Sequence, residues 1–398
     1  SYPAGVDWQA RLDTRPLPEL LDRAAEAYGG QTCISFRGRR FPYREIAAQV
    51  DRAAKGFQAL GVHKGIKVGL MLPNCPYTVI CFYAVLKAGG TVVNINPLYT
   101  RVEIEKQIED SGICILVTLN MKALYPKVAP LLDAGGRLET IVVCSMGGVL
   151  KFHEKILFKL LKRREVADIP DDDRHITFER LIDNDGEPDP VAIDADNDVA
   201  VLQFTGGTTG FPKGVVHNHN IQRNVSDRAN RMGMTPNDVI LMYLPLFHLW
   251  GLYDGPLMSI MTGARTVLTA LFDPEEALKL IEKERATVIH GFDSHFHGLI
   301  SHPACEGTDR SSLRTGILVV GMASSEGVAR RAQSALCPTI TGWGMTEVGC
   351  CAAMSFLDSS EDDRCMGSGF PLPLHEFKVI DPESGAELPP GTIGELCV

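Results

Sequence analysis

Short β-branched runs alternate with amphipathic helical stretches along this chain, and that alternation constrains its fold more than any other feature. IKVGLML, TVVNI, ICILVTL and TIVVC are each long enough for one buried strand, and helical patterns separate them. Strand–helix–strand order demands crossover connections, which make neighbouring strands parallel, and near-continuous apolar runs mean strands covered on both faces. The expected fold class is therefore α/β, with mainly parallel sheet flanked by helices. LPELLDRAAEAY places Leu20, Leu21, Ala24, Ala25 and Tyr28 on one helical face. TCISF then reads as a strand and FRGRR as a turn. YREIAAQVDRAAKGFQALG carries a stripe of Ile46, Val50, Ala53, Phe57 and Leu60, with Gly61 as its C-terminal stop.

From Val199 the alternation restarts, with VAVLQF, VILMYL, RTVLT, ATVIHG, GILVVG and TITG as strands. After Gly367 the texture changes to short antiparallel strands: EFKVID, a turn at DPESG, then PPGTIGELCV. The expected organisation is two α/β lobes, about 1–190 and 191–366, followed by a β-rich piece, 367–398.

A net charge of −10 argues against a chain that wraps nucleic acid, because phosphate binding needs clustered positive charge. The eleven cysteines form no C-x-x-C pair, and most sit inside apolar runs, such as Cys81 and Cys114. That usage fits buried free thiols in a reduced, cytoplasmic compartment. No apolar stretch reaches the roughly 18 residues of a membrane span. SYPAGVDWQARLD has no signal-peptide core. One segment, KFHEKILFKLLKRR, lines Phe152, Ile156, Leu157, Leu160 and Leu161 along one face, with lysines and arginine mostly on the other. It is read as a surface helix packed on its own domain; a helix lying on an anionic membrane is the other reading. Peripheral membrane contact and a homodimer both stay open.

The strongest local signal is FTGGTTGFPKGV, Phe204 to Val215, directly after VAVLQF. Gly206, Gly207 and Gly210 let backbone approach a ligand closely. Thr205, Thr208 and Thr209 supply hydroxyls, and Lys213 supplies positive charge, which together suit a polyphosphate. The G-K-[ST] ending of the GTPase-type phosphate loop is missing, since Pro212 precedes Lys213 and Gly214 follows it.

This loop resembles the signature of the adenylate-forming superfamily, which includes acyl-CoA synthetases, luciferases and peptide-synthetase adenylation domains. LKAGGTVVNINPLYT, LPLFHLWG, GWGMTEVG and GSGFPLP come in the family's order and at similar spacing, so the similarity covers nearly the whole chain. The NPLYT phrase and the basic segment near residue 155 look most like long-chain fatty acyl-CoA ligases. The resemblance implies two mainly parallel sheets in a layered αβαβα arrangement, plus a small distorted antiparallel, β-barrel-like lobe. It implies ATP, Mg²⁺ and coenzyme A as cofactors and co-substrates, and a carboxylic acid, fatty or otherwise bulky and apolar, as substrate. A carboxylic acid is already an anion at neutral pH, so attack on the α-phosphate needs positioning and electrostatics rather than a general base.

The residue roles follow from the same resemblance. Lys213, His248, Thr346 and Glu347 are the catalytic set, with Glu347 the Mg²⁺ ligand. Gly342, Trp343, Gly344 and Met345 join the loop residues around the nucleotide, with Trp343 lining the adenine pocket. Gly321, Met322 and Ala323 lie between nucleotide and acid. Many relatives have Gly-Ala-Pro or Gly-Glu-Pro there, whereas this chain has Gly-Met-Ala-Ser. His248, Trp250, Gly251, Phe292 and Gly321 line the acid pocket. His290, Asp293, His295, His297 and His302 form a metal-like cluster, but without a recognised ligand spacing. Family members carry a further C-terminal lid domain of roughly a hundred residues. It brings a lysine for adenylation, a ribose-binding acid and the face that admits coenzyme A. The chain ends at GELCV, before all three, and is read as the large domain alone. Alternative readings are an enzyme of one half-reaction, a loader of an acyl carrier protein, or a non-catalytic protein that binds acyl or nucleotide ligands.

Overall fold

In the computed structural model, residues 14–205, 212–320 and 323–398 are described. The apolar runs read above form a seven-stranded sheet. Its order is His175–Thr177, Thr140–Cys144, Ile115–Leu119, Lys67–Met71, Thr91–Asn94, Val199–Thr205, Lys213–Asn218. The first six strands are parallel, with Val68 opposite both Val92 and Ile115. The last strand returns antiparallel, pairing Thr205 with Lys213. The Pro76–Lys87 helix is buried along almost its whole length, as an all-round apolar helix between layers must be.

A second sheet has five strands: Val288–Ile289, Val239–Met242, Arg265–Leu268, Thr32–Phe36 and Arg39–Pro42. Four are parallel, and the FRGRR turn returns the fifth antiparallel. The two sheets do not follow a division at residue 190. TCISF sits in the sheet of the later segment, and VAVLQF sits in the sheet of the earlier one. Local periodicity gives the strands but not their partners, which are chosen by long-range packing. The Tyr43–Ala59 helix links the halves: its Tyr43 hydroxyl lies 2.8 Å and 2.6 Å from the carbonyls of Ser259 and Ala264.

The antiparallel part consists of two small sheets. Gly342–Trp343, Ala353–Met354 and Phe370–Pro371 form one, and Lys378–Ile380 with Glu395–Cys397 the other. Arg231 ties the first to the core, donating to the carbonyls of Phe370 at 3.0 Å and Pro371 at 2.9 Å. All eleven cysteines are free. Among the described residues no helix is long and apolar enough to cross a membrane.

The KFHEKILFKLLKRR segment corrects the expectation of a stripe packed on its own domain. It forms a helix, Phe152–Leu161, with the expected residues on one face, but that face looks outward. Phe152 is 80% exposed, Leu160 74% and Leu161 70%. Phe158 is the side chain that packs on the core, and Glu154 is half-buried beside it.

Candidate functional site

Three stretches follow strands at their carboxyl-terminal edges, where open α/β sheets bind ligands, and the second and third of them share a cavity. The first is the Val199–Thr205 strand, which delivers Thr205 to the start of the glycine- and threonine-rich loop. Gly206, Gly207, Thr208, Thr209 and Gly210 of that loop lie outside the described residues, as do Gly321 and Met322. Lys213 opens the return strand directly across from Thr205 and is exposed.

The second stretch follows the Val239–Met242 strand. Pro245 and Leu246 turn the chain, and His248 caps the short Leu249–Leu252 helix by accepting the Trp250 N–H on Nδ1 at 3.2 Å. With Nδ1 accepting, the neutral ring carries its proton on Nε2. Desolvation lowers the His248 pKa and so favours that neutral form, although the ring borders open cavity and is accessible to solvent. Trp250 is buried and meets Phe292 edge-on at 4.9 Å between ring centres. Gly251 does not face the cavity as expected. A Cβ there would come 2.3 Å from the Pro245 carbonyl oxygen, so this glycine serves the tight turn.

The third stretch runs from Gly342–Trp343 through the 3₁₀ turn Thr346–Val348. Gly344 passes so close to Cys350 that a Cβ would lie 2.0 Å from the Cys350 carbonyl oxygen. Gly349 and Cys350 both take positive φ to close the turn, at 74° and 82°. Trp343 meets Phe377 edge-on at 5.7 Å.

His248, Trp250, Phe292, Gly342, Trp343, Gly344, Met345 and Thr346 line one cavity of about 250 Å³. Leu249, Ile317, Val319 and Met354 complete an apolar wall. Glu347 lies one residue beyond, in an adjoining cleft of about 460 Å³ with His217 and Arg223. Its carboxylate makes no hydrogen bond or ion pair among the described residues and lies near the buried His217. Ala323 begins the short turn before the Glu326–Ala335 helix.

Sequence reasoning missed the floor of this cavity. Asp254 lies there in a π-type turn, Tyr253–Leu257, and accepts from Arg228 Nε at 2.7 Å. Both side chains are at most 1% exposed. Burial alone would lower the Arg228 pKa, but the adjacent Asp254 raises it above its ordinary value. Arg228 also donates to Asn224, whose amide donates to the carbonyls of Val348 at 3.2 Å and Cys351 at 2.6 Å. The floor thus grips both ends of the turn that carries Glu347. A signal existed: Asp254 is a lone acid in the apolar run LFHLWGLYDGPLMSIM, and a buried carboxylate requires a partner.

His217 was also missed. It is buried against the Thr346 backbone; desolvation lowers its pKa, while Thr346 and Glu347 pull the other way. The histidine cluster resolves into local bonds. His290, His295 and His302 each accept a backbone N–H on Nδ1, from Ile317, Phe292 and Ala304, all at 3.2 Å.

A profile of the AMP-binding enzyme family matches residues 21–398. The chain belongs to the AMP-binding enzyme family. It is 31% identical to a long-chain-fatty-acid–CoA ligase of Bacillus subtilis (strain 168) over 403 aligned positions, covering 100% of this chain and 71% of that protein. It is 29% identical to 4-coumarate–CoA ligase 4 of Arabidopsis thaliana, covering 92% of this chain and 62% of that one. A solved long-chain-fatty-acid–CoA ligase from Archaeoglobus fulgidus superposes with a TM-score of 0.80 at 23% identity, covering 98% of this chain and 75% of the other. At that identity the likeness speaks for the fold of the family.

Proposed function

We infer that this chain activates a carboxylic acid with ATP to an acyl-adenylate, and that the acyl group then passes to coenzyme A. The observation that carries this reading is the single cavity joining the Trp343–Thr346 stretch to the His248–Trp250–Phe292 wall. A flat aromatic face with a threonine hydroxyl suits a nucleotide, and an apolar wall ending in one histidine suits an acid. The activities named for two relatives, long-chain fatty acid and 4-coumarate ligation to CoA, support an apolar acid.

The chain's own residues divide the work. His248, neutral with its proton on Nε2, donates to the carboxylate and orients it, with no proton removed. The apolar wall keeps water from the acyl end. Thr346 donates to phosphate oxygen, and Lys213 places positive charge opposite the departing pyrophosphate. Glu347, a free carboxylate at the cleft edge, suits a hard divalent ion. A Mg²⁺ ion held there by Glu347 would supply neutralisation of polyphosphate charge. Asp254, Arg228 and Asn224 position the turn from below.

A crystal structure with a non-hydrolysable acyl-adenylate analogue tests this arrangement. Its acyl carbonyl should lie beside His248 and its adenine against Trp343. An analogue bound on the opposite edge of the sheets would overturn the assignment.

A further inference from the structure

His219, His248, His290, His295 and His302 each accept a backbone N–H on Nδ1. His217 is different. It is 6% exposed, and its Nε2 is buried without a hydrogen-bond partner among the described residues. A ring nitrogen left unbonded inside a fold costs stability, and leucine would fill similar space without that cost. The unspent nitrogen points to a bond made in another state of the molecule.

The place of the ring says which state. His217 lies on the Lys213–Asn218 strand, opposite Val201, four residues from Lys213 and so on the same face. It borders the cleft of about 460 Å³ that also holds Glu347. The backbone of Thr346 and the carboxylate of Glu347 both lie close enough to act on its ring. The ring also meets Tyr253 edge-on at 6.4 Å, and Tyr253 starts the turn that carries Asp254. Asn224 already holds the far end of the Glu347 turn, through the carbonyls of Val348 and Cys351. At the near end the Thr346 carbonyl accepts the Gly349 N–H at 3.1 Å, which leaves it a second lone pair.

We propose that His217 is a positioning residue for the metal–phosphate end of the site: its Nε2–H closes on the Thr346 carbonyl when Glu347 engages a Mg²⁺-bound polyphosphate, and that bond fixes the Glu347 carboxylate. The proposal rests on the reading of Glu347 as the Mg²⁺ ligand. Burial favours the neutral ring, so its single proton is available to Nε2. Asn224 holds the turn from the helix side, and His217 holds it from the strand side. Because Lys213 and His217 share one strand, the same bond ties the cation that faces pyrophosphate to the carboxylate that faces the metal.

The test is calorimetry of ATP binding across Mg²⁺ concentrations with no acid present, beside the same Mg²⁺ series in pyrophosphate exchange. His217→Leu keeps a comparable volume and removes the nitrogen. It should raise the Mg²⁺ concentration for half-maximal effect about tenfold in both assays, with exchange at saturating Mg²⁺ changed less than about twofold. It should melt no lower than the parent, because a buried unbonded nitrogen is gone. Glutamine carries an amide N–H near the place of Nε2, so His217→Gln should return the Mg²⁺ dependence to within about threefold of the parent. Asparagine is too short, and His217→Asn should behave as His217→Leu. If His217→Leu does not fold, the Gln and Asn variants make the same comparison. An unchanged Mg²⁺ dependence in His217→Leu, equal behaviour of the Gln and Asn variants, or ATP binding by the parent that ignores Mg²⁺ would each overturn the proposal. A parent that binds ATP more tightly with Mg²⁺ yet exchanges pyrophosphate with no acid would remove the acid-activation reading alone, and the calorimetry would still decide the role of His217.

Discussion

At the floor of the cavity Arg228, Asp254 and Asn224 are buried and bonded to one another; at its rim Glu347 is exposed and without a bonding partner among the described residues. The floor holds shape, and the rim holds charge ready for a ligand. A group whose hydrogen-bonding capacity is spent inside the fold contributes stability and positioning. A free carboxylate beside a free hydroxyl contributes chemistry. Substitutions at the two places should therefore fail in different ways.

The largest effect is expected at the floor. Arg228→Ala strands a buried carboxylate and should cost about 3–5 kcal/mol of stability, read as a lower urea midpoint. An unchanged midpoint would erase the distinction between floor and rim. At the rim, Glu347→Gln keeps size and removes charge. It should lower acid-dependent ATP–pyrophosphate exchange by about a hundredfold or more, with stability changed by less than about 0.5 kcal/mol. A matching loss of stability would place Glu347 with the structural residues.

Protonation sharpens the contrast. Burial holds His219 and His290 down to pKa values of about 4, below the ordinary value of 6.5. The unfolded chain then binds more protons between those values, so stability is full above pH 6.5 and falls as pH drops through 4. Each group should account for about 3 kcal/mol once fully titrated. His290→Asn and His219→Asn should each flatten the acid limb of the stability–pH curve, and an unaltered limb in both would contradict this. The smallest effect belongs to the link between floor and rim. Asn224→Ala should cost about 1–3 kcal/mol and also lower exchange, because the turn bearing Glu347 loses its grip on two carbonyls. Exchange unaffected by Asn224→Ala would show that the turn holds its shape without the floor.

Much of this was legible in the residues. IKVGLML, TVVNI, ICILVTL and TIVVC are strands of one sheet because β-branched runs between helices leave few other choices. His248, Trp250, Phe292 and Trp343–Thr346, all singled out by their motifs, line one cavity. Pairings across long separations were not legible: TCISF crosses into the later sheet, and Arg228 finds Asp254 26 residues away. Two helices show the same limit. Pro76–Lys87 is apolar all round and has to be buried, whereas Phe152–Leu161 carries an apolar stripe on one side and turns Phe158 to the core. Periodicity told which of its residues share a face, but not that the face looks out.

The central claim is that the cavity activates an acid. The most direct measurement is incorporation of labelled pyrophosphate into ATP by the purified chain with Mg²⁺, across acids from benzoate to palmitate. Exchange should depend on added acid, favour apolar acids, and disappear in Glu347→Gln. A folded protein that binds ATP yet exchanges pyrophosphate with none of these acids, or exchanges equally without any acid, would contradict the account.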